Sequence, residues 1–184
     1  MKRSSNYPVI PAIINRWSPR AMSGKSVSRK ELMTLFESAR YAPSARNSQP
    51  WRFIYSTHRS ELWPSFLDLL EESHRMWCEK AGALILLISE KGNNDYCQFD
   101  AGAAWENLAI QGHSMGLVIH PIAMFDHDKA RELLAIHENY EILIIIAVGK
   151  PGEETQLPPE YQAREFPSSR KKLNEVVSKE EFVW

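Results

Sequence analysis

The chain has 184 residues, 43% of them hydrophobic and 24% charged, with a formal net charge of −1. That length suits one domain with a sizeable core, and the near-neutral balance supplies no overall field for nucleic acid or an anionic membrane. The longest apolar run, residues 142–148, is far too short to span a bilayer. Cys78 and Cys97 make neither a C-x-x-C pair nor a disulfide framework, so a reducing cytoplasm is the expected setting. At the start, Pro8 and Pro11 break the apolar run that a signal peptide needs.

In chain order, Ile10, Ile13, Ile14 and Trp17 follow helical spacing. A second helix opens at SVSRKEL, where Ser28 and Glu31 fit a capping box, and carries Leu32, Leu35, Phe36 and Ala39 on one stripe. Pro43 stops it. Trp51, Phe53 and Tyr55 alternate as in a half-buried strand. Trp63, Phe66, Leu67 and Leu70 predict a helix with Pro64 in its first turn. Residues 83–89, ALILLIS, are apolar on both faces and predict a central strand. The most buried helix is expected over 95–115, with Ala101, Gly102, Ala103 and Ala104 allowing close approach of another element. A strand over 117–122 follows, then a helix N-capped by Asp126 with Ala130, Leu133, Leu134 and a partly buried His137 on one face. ILIIIAV is a second fully apolar strand. From Pro151 the periodicity is lost, yet Tyr161, Phe166, Phe182 and Trp184 favour a tail wrapped on something over a disordered one. Helices and strands intermix without a βαβ rhythm, so the predicted class is α+β.

Three polar segments stand out. RWSPR, residues 16–20, gathers two arginines and a serine, donors that match phosphate oxygens; taken alone it reads first as an ordinary basic helix end. The loop in ARYAPSARNSQPWRF places Ser44, Arg46, Asn47, Ser48 and Gln49 between Pro43 and Pro50, either as a functional surface or as a turn that solvates itself. SRKK, residues 169–172, taken alone is a solvated patch. No histidine spacing suits a metal, and no Walker A, G-x-G-x-x-G or G-x-S-x-G motif occurs.

Taken together and in order, RWSPR, APSARNSQPWRF, DAGAAWENLAIQGHSMGL, HPIAMFDHDKARELL, the strand ending AVGKP and the tail RKKLNEVV resemble the FMN-dependent nitroreductase family, from about Ile10 to the end. The resemblance implies a three-layer α+β sandwich. Its mixed, mainly antiparallel sheet is flanked by helices, in an intertwined homodimer with FMN at the interface. The chain is then one domain, 1–184, with 151–184 as an extended tail wrapping the partner, and residues 101–104 lie on a dimer-packing helix.

Residue by residue, Arg16, Trp17, Ser18 and Arg20 match the motif that meets the FMN phosphate and the ribityl chain or ring edge; Trp17 stands where a second arginine is common. Pro43, Ser44, Asn47 and Gln49 match the loop that reaches the flavin bound by the other chain. Arg170 and Lys172 match the basic pair that returns to the phosphate. His74 stands where asparagine is common, and Ala123-Met124 where Glu-Gly is common; the Met124 backbone N–H would face flavin N5. The implied reaction passes a hydride from NADH or NADPH through flavin N5 to a nitroaromatic, quinone or similar small acceptor. Kinetics are ping-pong, with no catalytic side chain, no metal, no nucleic acid and no membrane. The alternatives are another reaction on the same fold (reductive dehalogenation, or dehydrogenation of a small metabolite) and a non-catalytic FMN-binding protein.

Overall fold

The structure is a computed structural model and describes residues 3–92 and 95–183. Four strands, β1 (Trp51–Thr57), β2 (Ala83–Glu90), β3 (Val118–Ile122) and β4 (Tyr140–Gly149), form a sheet in the order β1-β2-β4-β3. Every neighbouring pair is antiparallel, so the expected mixed, mainly antiparallel sheet is fully antiparallel among the described residues. The continuous apolar runs take the two central positions, where both faces are covered. Between Leu87 and Ile88 the register shifts: Leu87 faces Ile144 while Ile88 faces Ile142, which leaves Leu143 as the extra residue of a bulge.

Strand alternation divides the core into two layers. Leu84, Leu86, Ile88, Ile145 and Ala147 pack with α3 (Trp63–Leu67), α4 (Glu72–Cys78) and α6 (His127–Leu133). Ala83, Ile85, Leu87, Ile146 and Val148 pack on the other face with α2 (Arg29–Arg40) and α5 (Cys97–Ser114). Each of the leucine, isoleucine and valine side chains contributes roughly 1.5–3 kcal/mol on burial. The result is the three-layer α+β sandwich expected.

The helices depart from their sequence reading where local backbone demands it. The first, α1 (Pro11–Asn15), is short and buries none of its residues; the chain turns extended at Arg16 (φ −60°, ψ 130°), so Trp17 lies beyond it. The helix expected to continue to Leu70 stops at Leu67, and Leu70 instead bridges to Phe125. The α6 helix ends at Leu133, Ala135 turns left-handed (φ 48°), and Ile136 enters the core. His137 is therefore exposed, its Nδ1 2.6 Å from Asn139 Oδ1, in place of the part-buried structural role expected.

On α5, Ala101 and Ala104 are spent on the chain's own core, while Gly102 faces open space. The close approach that needs glycine is at Gly112, where a Cβ would sit 2.4 Å from Ile119 Cγ1. Beyond β4 the tail holds α7 (Pro159–Gln162) and single 3-10 turns. It is fastened at its start: Gly152 N–H donates to the Ala21 carbonyl (3.0 Å) and Pro151 bridges to Met22. Leu157 is buried, whereas Phe166, Leu173, Val176, Val177 and Phe182 are exposed. Trp184 lies outside the described residues.

The capping box at the start of α2 forms as the sequence predicts. Ser28 Oγ accepts from Glu31 N–H (3.2 Å), and the Glu31 carboxylate accepts from Ser28 N–H (2.8 Å). The same carboxylate pairs with Lys150, which, with Ser28, holds its pKa down to about 2. Ser28→Ala is expected to lower stability by about 1 kcal/mol, read as a reduced urea midpoint at unchanged m-value.

Candidate active site

Residues 16–20 form neither helix nor strand, and side chains from α5, β3, α7 and the tail hold them. Glu106 of α5 pairs with Arg16, Nε to Oε1 3.4 Å. His120 of β3 donates from Nδ1 to the Pro19 carbonyl at 2.9 Å. Tyr161 of α7 lies under the Arg20 guanidinium, 5.5 Å from ring centroid to Cζ, and its hydroxyl donates to the Ser73 carbonyl of α4 (2.7 Å). The fourth hold is Glu165. Its Oε1 accepts from both Arg20 N–H (2.7 Å) and Ala21 N–H (2.8 Å). Its Oε2 is buried without a hydrogen bond, 3.8 Å from Arg20 Nη1. A carboxylate only 4% exposed is tolerable here because two amide donors and one guanidinium compensate its desolvation.

These contacts leave a cleft of about 250 Å³. Arg16, Trp17, Ser18 and Arg20 form one wall; Arg164, Phe166, Ser168 and Arg170 of the tail form the other. Arg3 and His120 complete it. Arginines from three distant parts of the chain thus converge on a volume suited to a small anion, with Glu106 and Glu165 as the carboxylates paired to them.

His120 faces the interior with Val118 and Ile122, its ring 4.7 Å from that of Trp77. Burial pushes its pKa down to about 4, against the opposing pull of the Pro19 hydrogen bond, and the Arg20 charge lowers it further. The ring is neutral at pH 7, with the proton on Nδ1. His74 is also lowered, by burial first and then by Arg20, with Glu71 opposing. Cys78 is pushed well up by burial, so it is an inert thiol. Among the described residues no cluster of His, Cys, Asp or Glu could hold a metal.

The remaining sequence-predicted residues lie in other places. Pro43, Ser44, Asn47 and Gln49 form a separate loop, joined to α5 by Ala45 N–H donating to Asp100 Oδ2 (3.0 Å). Within it Ser44 Oγ accepts from Gln49 N–H (3.0 Å), Gln49 Nε2 donates to the Asn47 carbonyl (3.0 Å), and Arg46, Asn47 and Gln49 all have positive φ (55°, 56° and 49°). His74 sits on α4, its ring edge toward Trp77. Met124 is exposed between β3 and α6. Lys172 lines an adjoining hollow that shares Arg3 and Arg170 with the cleft. The sequence reading missed Arg3, His120, Arg164 and Glu165. Period-two alternation signals His120, since it falls on the same face as Val118 and Ile122; the other three have no spacing that marks them.

The pattern of the nitroreductase family matches residues 13–76 and 73–150. The chain belongs to the nitroreductase family. A crystal structure described as an oxidoreductase containing FMN shares 36% identity and superposes with a TM-score of 0.95, covering 98% of this chain and 96% of that one. An Archaeoglobus fulgidus protein provisionally named NADH dehydrogenase/NAD(P)H nitroreductase is 26% identical over 152 residues, 77% of this chain and 84% of its own. The fold also matches a provisionally named nitroreductase in complex with FMN from Desulfovibrio desulfuricans, at 23% identity and a TM-score of 0.78, covering 97% of this chain and all of that one.

Because the unfolded chain protonates histidine near pH 6.5 and folded His120 only near pH 4, acid favours unfolding. Stability is expected to fall as pH drops from 6.5 toward 4. His120→Gln, which keeps a donor for Pro19, should flatten that part of the curve. Urea midpoints from pH 7 to 4.5 check it, and an NMR titration midpoint of His120 near 6.5 would refute the assignment.

Proposed function

We propose that the protein is an FMN-dependent oxidoreductase that uses NADH or NADPH to reduce a nitroaromatic, quinone or similarly electron-poor small molecule. The observation that carries the reading is the arginine cleft. Segments 16–20 and 164–170, remote in sequence, bring guanidinium forks and hydroxyls to one place, the donor set that a phosphate monoester dianion requires. Arg16, Ser18, Arg20 and Arg170 hold the phosphate end of FMN, with the Trp17 backbone beside them and Lys172 at the margin. FMN, when bound, supplies the chemistry by taking two electrons from the nicotinamide and passing them to the acceptor.

The chain's own residues bind and orient. Arg20 faces His74 and Glu165 and brings a positive charge to the inner end of the cleft. His120 stays neutral and keeps its Nδ1 proton on Pro19, so it fixes the segment and adds no charge. No side chain is assigned as acid or base. Donor and acceptor use the same space in turn, which gives ping-pong kinetics.

The site is completed by a second copy of the chain. The loop bearing Pro43, Ser44, Asn47 and Gln49 stands apart from the cleft of its own chain, as it must if it serves the partner's flavin, together with Met124 and His74 near the ring. Exposed Phe99 (78%) on α5 and Phe182 (84%) in the tail supply apolar area for that association. Residues 151–184 wrap the partner in this reading. Among the described residues no helix is long and apolar enough to cross a membrane, and both cysteines are free and buried; a cytoplasmic location is part of the proposal.

Purified protein is expected to be yellow, to run at the mass of two chains, and to bleach anaerobically on addition of NADH or NADPH. Double-reciprocal plots with a quinone acceptor should be parallel. Flavin that no reduced nicotinamide bleaches would sink the enzyme reading. Arg16→Ala should weaken FMN binding by roughly 1.5–3 kcal/mol, the contribution of a charge-assisted hydrogen bond, or about 10- to 150-fold in Kd.

A further inference from the structure

Two cations of the arginine cleft, Arg3 and Arg164, are covered by neither the motifs nor the pattern of the family, and Arg3 is the one bonded to both walls. Arg3 lies outside the matched residues and enters the cleft from the N-terminal arm. Its guanidinium spends its donors on main chain and hydroxyl. Nη1 donates to the Arg16 carbonyl at 2.6 Å and, more weakly, to the Ile14 carbonyl at 3.4 Å. Nε donates to the Ser168 carbonyl at 2.9 Å, and Nη2 lies 3.5 Å from Ser168 Oγ. One rigid fork therefore ties the segment carrying Arg16 to the segment carrying Arg170. Arg170 Nη1 in turn donates to Ser168 Oγ (3.0 Å) and to the Ser169 carbonyl (3.1 Å), so the backbone that Arg3 grips is the backbone on which Arg170 rests.

We propose that Arg3 is a positioning residue of the anion cleft: it fastens residue 16 to residues 168–170, so that Arg16 and Arg170 are presented together to the phosphate of FMN. The inference rests on the FMN reading above and extends it to a residue outside the family's motifs. Charge is the second argument. Among the described residues Arg3 forms no ion pair with a carboxylate, and it is placed beside two other guanidiniums. Its own basicity is lowered, by burial first and then by Arg170 and Arg16. A neutral glutamine or asparagine could have served carbonyl acceptors at no such cost. Of the three guanidiniums only Arg16 has a carboxylate partner among the described residues, Glu106; Arg3 and Arg170 side by side make physical sense where an anion offsets their repulsion.

The test compares FMN with riboflavin, which lacks the phosphate, by flavin-fluorescence titration of the full chain. In Arg3→Met, which keeps an unbranched apolar stem, the Kd for FMN should rise about tenfold, the order of one charge-assisted contact, while that for riboflavin stays unchanged. The salt dependence of FMN binding should also become shallower. Arg3→Lys, which restores the charge without the fork, should recover the salt dependence but only part of the affinity. Unchanged FMN affinity in Arg3→Met, or equal weakening of FMN and riboflavin, overturns the inference. Wild-type protein that binds the two flavins equally well overturns the phosphate reading of the cleft itself, and the inference with it.

Discussion

The antiparallel pairing of β2 with β4 is the constraint from which the rest follows. Both strands are apolar on both faces, so a sheet with them at its centre is stable only between two helical layers. It also decides where the tail begins. The turn after β4 sends Lys150 to Glu31 and lets the Lys150 carbonyl accept from Ser23 N–H at 3.0 Å. Gly152 then passes so close to Met22 that a Cβ there would lie 2.6 Å from the Met22 carbonyl carbon. The tail is thus launched alongside residues 21–23, and the two arginine-bearing segments meet because the sheet has already brought their neighbours together.

Assembling the cleft has a cost that the structure meets locally. Guanidiniums brought together repel, and the paired carboxylates Glu106 and Glu165 offset part of that. The loop at 43–49 meets a different cost: Arg46, Asn47 and Gln49 all have positive φ, a strain of about 1–2 kcal/mol per residue that asparagine feels less than the other two. Asp100, buried on α5, holds the loop through Ala45, and Ser44 closes it on Gln49. Such strain persists where the surroundings over-determine it, and that is characteristic of functional surfaces.

Much of this was legible in the sequence, for identifiable reasons. The strands at 83–90 and 140–149 and the capping box at Ser28 are written in local periodicity and side-chain chemistry, which tertiary context then reinforces. The residue types of RWSPR mark a phosphate site locally, but the pairing of Arg16, Ser18 and Arg20 with Arg170 is accessible only through a resemblance, because their proximity depends on contacts more than a hundred residues apart. The misreading of His137 is local as well: its helical stripe ends early, when Ala135 turns left-handed. Glu165 and Arg3 carried no signal: a single charged residue in an unpatterned segment becomes informative only when its partners are known.

Glu165 grips amide hydrogens, and its free oxygen stands 3.8 Å from the nearest guanidinium nitrogen. An anion entering the cleft therefore competes with it for field but not for hydrogen bonds. The carboxylate behaves as a permanent internal counter-ion, a keystone that keeps the arch of arginines standing whether or not a guest is beneath it. The tail's hold on residues 20 and 21 runs through the protein's own amides, so it does not draw on the donors that the cleft offers to an anion.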